Sequence, residues 1–259
     1  MSAQARTAFA AGLRRTRRAF ARARHRWSRG GRDDSLRARL DGGVTIDYLE
    51  PDVPPALPWH ETTLVRATAA ALEGYGRLVD DPAQCPVEIV RWPAAGRRPV
   101  DDGTGDQGGT AIGEFAFWWE GDALLGRNTA VGDQYLLGWS RNPGEAARGE
   151  TPTAPRDRLL LWHANYHPDG GQLFFPRNGE PFVTALALPG DDVTPDDFVT
   201  FYVDGGRGLY LHPNVWHEAV FPLVTPSRFH DEQGRVHARV SVNFATEFGV
   251  FLCMPMRAP

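Results

Sequence analysis

The sequence predicts an all-β domain of the sandwich or barrel type, and its apolar pattern carries that prediction. From residue 87 onward, runs of roughly four to eight residues with alternating apolar positions recur about every 10 to 20 positions, each bounded by Gly, Pro, Asn or Asp. No segment with helical spacing separates them, whereas a parallel α/β sheet needs helices between its strands. The composition agrees, because 28 Gly and 21 Pro in 259 residues supply many turns. The predicted strands are residues 87–92, 114–119, 134–139, 158–162, 171–175, 182–188, 198–203, 208–211, 218–223, 238–244 and 249–253.

The first 43 residues are predicted to be an arginine-rich extension, partly helical or disordered, ahead of a single domain of residues 44–259. All 28 basic residues are arginine, and 12 of them lie in the first 40 residues against only two acidic residues. The arm is therefore basic and the remainder of the chain acidic. A solvated extension explains this charge, and contact with nucleic acid is a less favoured alternative. The absence of lysine excludes Schiff-base and P-loop lysine chemistry.

One helix is predicted before the barrel. Residues 44–58 should be extended because four prolines interrupt them. Residues 62–76 then place apolar side chains at helical spacing after two threonines that can cap a helix. The loops of residues 92–113 and 141–156 are polar and rich in Gly or Pro, and we assign them no catalytic role.

The two cysteines and the hydropathy pattern bear on the cellular compartment in which we expect the protein. Cys85 and Cys253 lie far apart without a CxxC neighbour, so we expect two buried free thiols. No stretch reaches the roughly 18 apolar residues of a membrane span. We expect a cytoplasmic protein without a membrane partner.

Histidines mark the candidate site. In an extended segment, His163, Asn165 and His167 face the same side, and the turn after them leads to Gln172 at the start of an apolar strand. Farther on, His217 follows a second turn that contains a proline. Imidazole is both a common metal ligand and an acid–base group near neutral pH.

This spacing resembles that of cupins, in which two histidines two residues apart, a glutamate five residues farther and a last histidine converge in one small barrel. Asn165, His167, Gln172 and His217 occupy these four places. The resemblance implies a double-stranded β-helix, or jelly-roll barrel.

Two longer blocks resemble the ureidoglycolate lyase family. The family's HP-x-G-x-Q-x-F-x-P block is matched at His167, Pro168, Gly170, Gln172, Phe174 and Pro176. Its G-V-x-x-H-x-x-x-W-H block is matched at Gly208, His212, Trp216 and His217. With a weaker similarity at Tyr75-Gly76, the resemblance extends over roughly residues 60 to 253.

The resemblance implies a homodimeric lyase of allantoin and purine catabolism that splits ureidoglycolate, a small carboxylate, into glyoxylate and urea, assisted by a divalent metal such as Ni, Zn, Mn or Fe. The implied metal ligands are His167, Gln172 and His217, with His163 as a further candidate. The implied catalytic residues are His212, His217 and Gln172. The implied substrate-binding residues are Arg141, Trp216, Glu218 and Asn243, with Arg141 as the guanidinium for the carboxylate.

Other interpretations stay open because the chain departs from the family pattern. Pro213 replaces an arginine, Glu218 replaces a second histidine, and Asn243-Phe244 replaces an Asp-Arg pair. These changes leave room for a cupin dehydratase, isomerase or dioxygenase with another substrate, or for a barrel that binds a ligand without catalysis. His212 as a turn cap and Gln172 as a structural brace are the corresponding structural alternatives.

Overall fold

Two sheets pack face to face and enclose the main apolar core. The computed structural model describes residues 47–91, 93–105, 109–147, 149, 151–235 and 238–259. The predicted arm of residues 1–43 lies outside the described residues, so its conformation stays a prediction. None of the helices in the described ranges is long and apolar enough to cross a membrane.

The described residues form sixteen strands and one α-helix. The strands are β1 (Trp59–Glu61), β2 (Thr63–Arg66), β3 (Gly76–Val79), β4 (Thr110–Glu120), β5 (Ala123–Asn128), β6 (Asp133–Trp139), β7 (Arg158–Leu161), β8 (His163–Tyr166), β9 (Gln172–Pro176), β10 (Phe182–Leu186), β11 (Val199–Val203), β12 (Gly208–Leu211), β13 (Phe221–Pro222), β14 (Ser227–Gly234), β15 (Val240–Asn243) and β16 (Phe251–Pro255). The helix is α1 (Phe244–Phe248). The all-β prediction is confirmed.

Strand pairing builds a ten-stranded sheet, a four-stranded sheet and a separate pair. Their orders are β1-β16-β7-β6-β5-β4-β14-β9-β12-β3, β13-β10-β11-β2 and β15-β8. The two larger sheets meet through aromatic side chains, as where Phe182 packs edge-on against Phe229 with ring centroids 5.2 Å apart. Both rings are fully buried, and buried aromatic area of this kind dominates the energetics of such cores.

The helix predicted before the barrel is wrong. Residues 63–66 form β2, which pairs in parallel with β11, and a short turn closed by the Leu72 amide on the Thr68 carbonyl leads into β3. The apolar spacing fits a helix, but Thr63 and Val65 are β-branched and find an open sheet edge beside them. Strand pairing in the tertiary structure therefore determines the conformation of residues 63–66.

A charged hairpin around residues 229–234, with His230 and His237 solvated, is a further prediction from the sequence. It is wrong for residues 229–234. These residues belong to β14, an eight-residue strand between β4 and β9 near the middle of the large sheet. Buried positions of β14 alternate with exposed or partly exposed ones. Because the buried positions include Asp231 and Gln233, the strand lacks the alternating apolar residues by which a hydropathy pattern would identify it. His237, which was assigned to the same hairpin, lies outside the described residues.

Both cysteines are confirmed as buried free thiols. A close approach of the backbone at Gly171 prepares the site. A Cβ at this position would overlap the Tyr210 hydroxyl and the Leu211 carbonyl of the neighbouring strand β12. Only glycine allows this contact, which sets the start of β9 and hence the position of Gln172.

Candidate functional site

A small polar cavity lies where β8 approaches the ten-stranded sheet. It is lined by Phe115, Asn128, Tyr135, Leu137, Asn165, His167, Gln172, Glu218 and Arg239. Its volume is about 20 Å³, which is room for one or two water molecules. One wall is apolar and the other carries amides, a histidine, a carboxylate and a guanidinium.

The pairing of β8 collects most of the polar wall. On one side, Asn165 lies opposite Ser241 of β15, and on the other it exchanges backbone hydrogen bonds with His217. Side chains two residues apart on β8 point the same way, so His163 and Asn165 face the same carboxylate. Asn165 Oδ1 is buried and has no hydrogen-bond donor among the described residues.

A buried carboxylate and imidazole form the first polar unit of the site. Glu218 Oε2 lies 2.6 Å from His163 Nδ1, and the other ring nitrogen, Nε2, lies 2.9 Å from Ser241 Oγ. The order acid, imidazole, hydroxyl is that of a nucleophile triad. However, the Ser241 hydroxyl donates to Asp101 Oδ2 at 2.5 Å, so it is not held as a nucleophile. With that hydroxyl proton directed to Asp101, the Ser241 oxygen is left to accept from His163 Nε2, while His163 Nδ1 faces Glu218.

A second polar unit runs through Gln172. Its Nε2 donates to Asp231 Oδ1 at 2.7 Å, and its Oε1 lies 3.0 Å from His217 Nε2. The other end of His217, Nδ1, lies 2.8 Å from the Val215 carbonyl. Asn128 Nδ2 donates to Asp231 Oδ2 at 3.0 Å. These bonds form a continuous chain of buried groups.

Counting hydrogen-bond donors gives two arrangements for one shared proton in this chain of groups. The proton lies either on His217 or on Asp231. With the Gln172 amide in the orientation observed, His217 donates from both nitrogens, so it is an imidazolium facing an ionised Asp231. If the amide turns over, a neutral Asp231 donates to Gln172 and a neutral His217 accepts from it. Burial raises the pKa of Asp231 to about 6 and lowers the pKa of His217. Both effects of burial favour the neutral pair.

Arg239 is the arginine of the cavity. It is only 9% exposed, and within the described part of the chain its guanidinium donates no hydrogen bond. Its charged neighbour is Asp101, with Nε 3.8 Å from Oδ2, and its plane lies over the Tyr48 ring at 4.3 Å. A buried guanidinium with open donor positions in a cavity is suited to bind a carboxylate.

The structure places the other predicted substrate and catalytic residues away from the cavity. Arg141, predicted to bind the carboxylate, donates to Thr153 in a surface loop. Trp216 is fully buried in the apolar core and donates to the Gly190 carbonyl. Asn243 caps α1 by accepting from the Thr246 amide, and His212 packs against the Tyr210 ring outside the cavity lining. Of the predicted residues, the structure brings together His163, His167, Gln172, His217 and Glu218.

The donor set of the cavity does not fit the metal that the resemblance implies. Both ring nitrogens of His217 and of His163 are hydrogen-bonded within the protein, and both polar atoms of Gln172 are engaged. His167 Nδ1 lies 2.9 Å from the Ala238 carbonyl. Among the described residues there is no group of three or more His, Cys, Asp or Glu side chains placed to hold a metal ion. Transition-metal sites generally need at least three protein ligands.

Sequence reasoning missed the residues that complete the two polar units. Asp231, Asn128 and Arg239 carry no motif, and Asp101 and Tyr48 lie in segments that were assigned no role. The sequence gives no local signal for Asp231, because its burial depends on the pairing of β14 with β4 and β9 on either side.

Comparison with known proteins supports the resemblance for one part of the chain. Residues 158–242 match the family model described as ureidoglycolate lyase. Ureidoglycolate lyases of Salmonella paratyphi B, Salmonella newport and Salmonella heidelberg are each 40% identical over 71 residues, which are 27% of this chain and 44% of the relative. The chain thus spans less than half the length of these relatives. The matched residues contain the cavity's histidine and its charged side chains, so the site lies within the part of the chain that is similar to ureidoglycolate lyase.

Proposed function

We propose that this protein is a carbon–nitrogen lyase that cleaves ureidoglycolate or a close relative of it into glyoxylate and urea. One observation carries the proposal: the carboxylate of Glu218, held by His163, and the guanidinium of Arg239 line the same cavity within the matched region. Ureidoglycolate bears a carboxylate, a hydroxyl and a ureido nitrogen on one carbon. Cleavage therefore needs a cation for the carboxylate, a base for the hydroxyl proton and an acid for the ureido nitrogen.

The roles follow from the chemistry of each side chain. Arg239 binds the carboxylate with two parallel hydrogen bonds. Glu218 accepts the hydroxyl proton, and the oxygen forms the aldehyde carbonyl as the carbon–nitrogen bond breaks. The electron pair goes to the nitrogen, which takes a proton from His167 and leaves as urea. Asn165 Oδ1, buried without a donor among the described residues, accepts from a ureido N–H.

His163 assists this reaction from behind Glu218. Its Nδ1 contact at 2.6 Å fixes the Glu218 carboxylate, and its other nitrogen is held by Ser241. A base held in one orientation needs no reorganisation during the reaction. No step is routed through a metal ion, because the donor set does not fit one.

Urea and glyoxylate release from ureidoglycolate tests the proposal. We expect turnover by the purified protein and a loss of about 10²–10⁴-fold in kcat for Glu218→Gln, the range for removal of a general base. Glu232→Gln is the matched control, because Glu232 lies on β14 next to Asp231 but does not line the cavity. The absence of turnover by the wild-type protein, with or without added metal, would contradict the proposal.

A second candidate is a barrel that binds a small ligand without catalysis. The polar side chains of the cavity are already engaged with one another, as where Asn165 and His163 both contact Glu218, and this arrangement also suits a ligand held by hydrogen bonds alone. For either candidate the walls must move to admit ureidoglycolate, because the cavity volume is about 20 Å³. Saturable binding of ureidoglycolate without release of urea would support this candidate. The homodimer and the cytoplasmic location stay predictions, which size-exclusion chromatography with light scattering and cell fractionation can test.

A further inference from the structure

We propose that Tyr48 and Asp101, from two segments that precede the matched residues 158–242, are positioning residues that hold the Arg239 guanidinium ready for a ligand carboxylate. The inference rests on the carboxylate-binding role proposed above for Arg239. It assigns a part of the site to regions that have no counterpart in the match.

The contacts of Arg239 define two sides of its guanidinium. One face lies over the Tyr48 ring at 4.3 Å, and Nε lies 3.8 Å from Asp101 Oδ2. A guanidinium stacked on an aromatic face and drawn to a carboxylate at one edge loses most of its rotational freedom. The edge away from Asp101 keeps its donors for a ligand.

Tyr48 is itself held firmly. Its hydroxyl donates to Asp101 Oδ2 at 3.3 Å, and its carbonyl accepts from the Leu136 amide at 2.7 Å. Its ring packs edge-on against Tyr135 and His163, with centroids 5.7 and 5.3 Å apart. Burial raises the pKa of the Tyr48 hydroxyl, so the ring stays a neutral platform for the cation.

The loop that carries Asp101 is bound to the backbone of Arg239. The Asp101 amide donates to the Arg239 carbonyl at 2.7 Å, and the Arg239 amide donates to Thr104 Oγ1 at 3.1 Å. The Thr104 hydroxyl donates in turn to the Asp101 carbonyl at 2.8 Å. The sequence predicts no catalytic role for this loop. In the structure, however, the loop contacts both the backbone and the side chain of Arg239.

Asp101 also connects the two charged groups of the cavity. Its Oδ2 accepts from Ser241, whose hydroxyl oxygen contacts His163, the partner of Glu218. One carboxylate oxygen therefore sets the distance between the proposed base and the proposed carboxylate anchor. Such supporting contacts decide whether a site has productive geometry.

A double-mutant cycle tests the role of Tyr48. Glyoxylate is the probe, with its dissociation constant measured by calorimetry and KM and kcat measured with ureidoglycolate. We expect Tyr48→Leu to raise the dissociation constant and KM about tenfold, with kcat changed less than about twofold, as for loss of a desolvated cation–π contact. Tyr48→Phe keeps the ring and should bind more tightly than Tyr48→Leu. In an Arg239→Met background, Tyr48→Leu should have no further effect.

Matched variants separate positioning from a general loss of stability. Tyr202→Leu removes the same kind of pair, since Arg66 lies over the Tyr202 ring at 5.0 Å, but away from the cavity lining. It should leave glyoxylate binding unchanged. Asp101→Asn keeps an oxygen for Ser241 and removes only the charge, and we expect it to raise KM as well. Urea unfolding of each variant shows whether it is folded under assay conditions.

The outcomes distinguish this inference from the proposed reaction. If the wild-type protein releases no urea but binds glyoxylate with the expected cycle, the reaction fails and the positioning roles stand. If Tyr48→Leu weakens binding equally with and without Arg239, the positioning role of Tyr48 is overturned. The inference also fails if the wild-type protein shows no saturable binding of glyoxylate or ureidoglycolate.

Discussion

The buried carboxyl group of Asp231 makes a strong prediction about stability and pH. Its folded pKa is raised from 3.8 to about 6, and the cause is burial. Because the folded protein holds this proton to a higher pH than the unfolded chain, stability from this group is present below pH 4 and is lost as pH rises through 6. A rise of this size corresponds to about 3 kcal/mol, of which about half is lost between pH 5 and 8.

Asp231→Asn is the variant that isolates this effect. An asparagine copies the neutral acid, because its amide can donate to Gln172 while its oxygen still accepts from Asn128. His217 has a lowered pKa and contributes the opposite pH dependence. In the neutral pair His217 is unprotonated in both folded proteins, and under that arrangement its contribution cancels in their difference. We therefore expect the variant to gain about 1.5 kcal/mol relative to wild type between pH 5 and 8.

Equilibrium urea unfolding at pH 5, 6, 7 and 8 measures this difference. Glu232→Gln, on the same strand, is the matched comparison. Burial also raises the pKa of Glu232, but this side chain is not fully buried, so we expect a pH dependence of the same sign and smaller size. A difference between wild type and Asp231→Asn that does not change with pH would refute the neutral pair. It would show instead that Asp231 stays ionised opposite an imidazolium at His217.

Three further predictions concern the stability of the fold and its response to metal ions. Gly171→Ala should lower the free energy of unfolding by about 2–3 kcal/mol, because its Cβ would overlap the Tyr210 hydroxyl, and calorimetry or urea unfolding would show the loss. Trp216→Phe should cost about 2 kcal/mol in the same assay, since it removes the hydrogen bond from the indole to the Gly190 carbonyl and opens a space around the fully buried side chain. The melting temperature should differ by less than about 1 °C between chelator and excess Ni²⁺ or Zn²⁺, whereas a metal at 100 times its dissociation constant would add about 2.7 kcal/mol and raise it by several degrees.

Much of the barrel could be predicted because its strands alternate apolar and polar residues. The prediction for residues 208–211 coincides with β12, and that for residues 134–139 lies within β6. The strand predicted at residues 87–92 is wrong for the described residues 87–91, which form only an isolated bridge between Ile89 and Gly170. Two other segments failed because their local pattern conflicts with their surroundings. Residues 63–66 follow a helical pattern but complete a sheet edge, and β14 carries polar residues on its buried face.

The all-β class and the grouping of His163, His167 and Gln172 could be predicted from the sequence. Spacing suffices for these three, because side chains two residues apart on a strand share a face and a tight turn returns the chain to its neighbour. His217 is 45 residues from Gln172, and only the resemblance to cupins predicted that it joins them. The groups that these residues contact depend on the tertiary structure. Asp231, Arg239 and Asp101 reach the cavity from β14, from the segment before β15 and from a distant loop, so no local spacing connects them. These long-range contacts engage His163, His217 and Gln172 in two hydrogen-bonded units, because a buried polar group takes whichever partner the fold brings within reach.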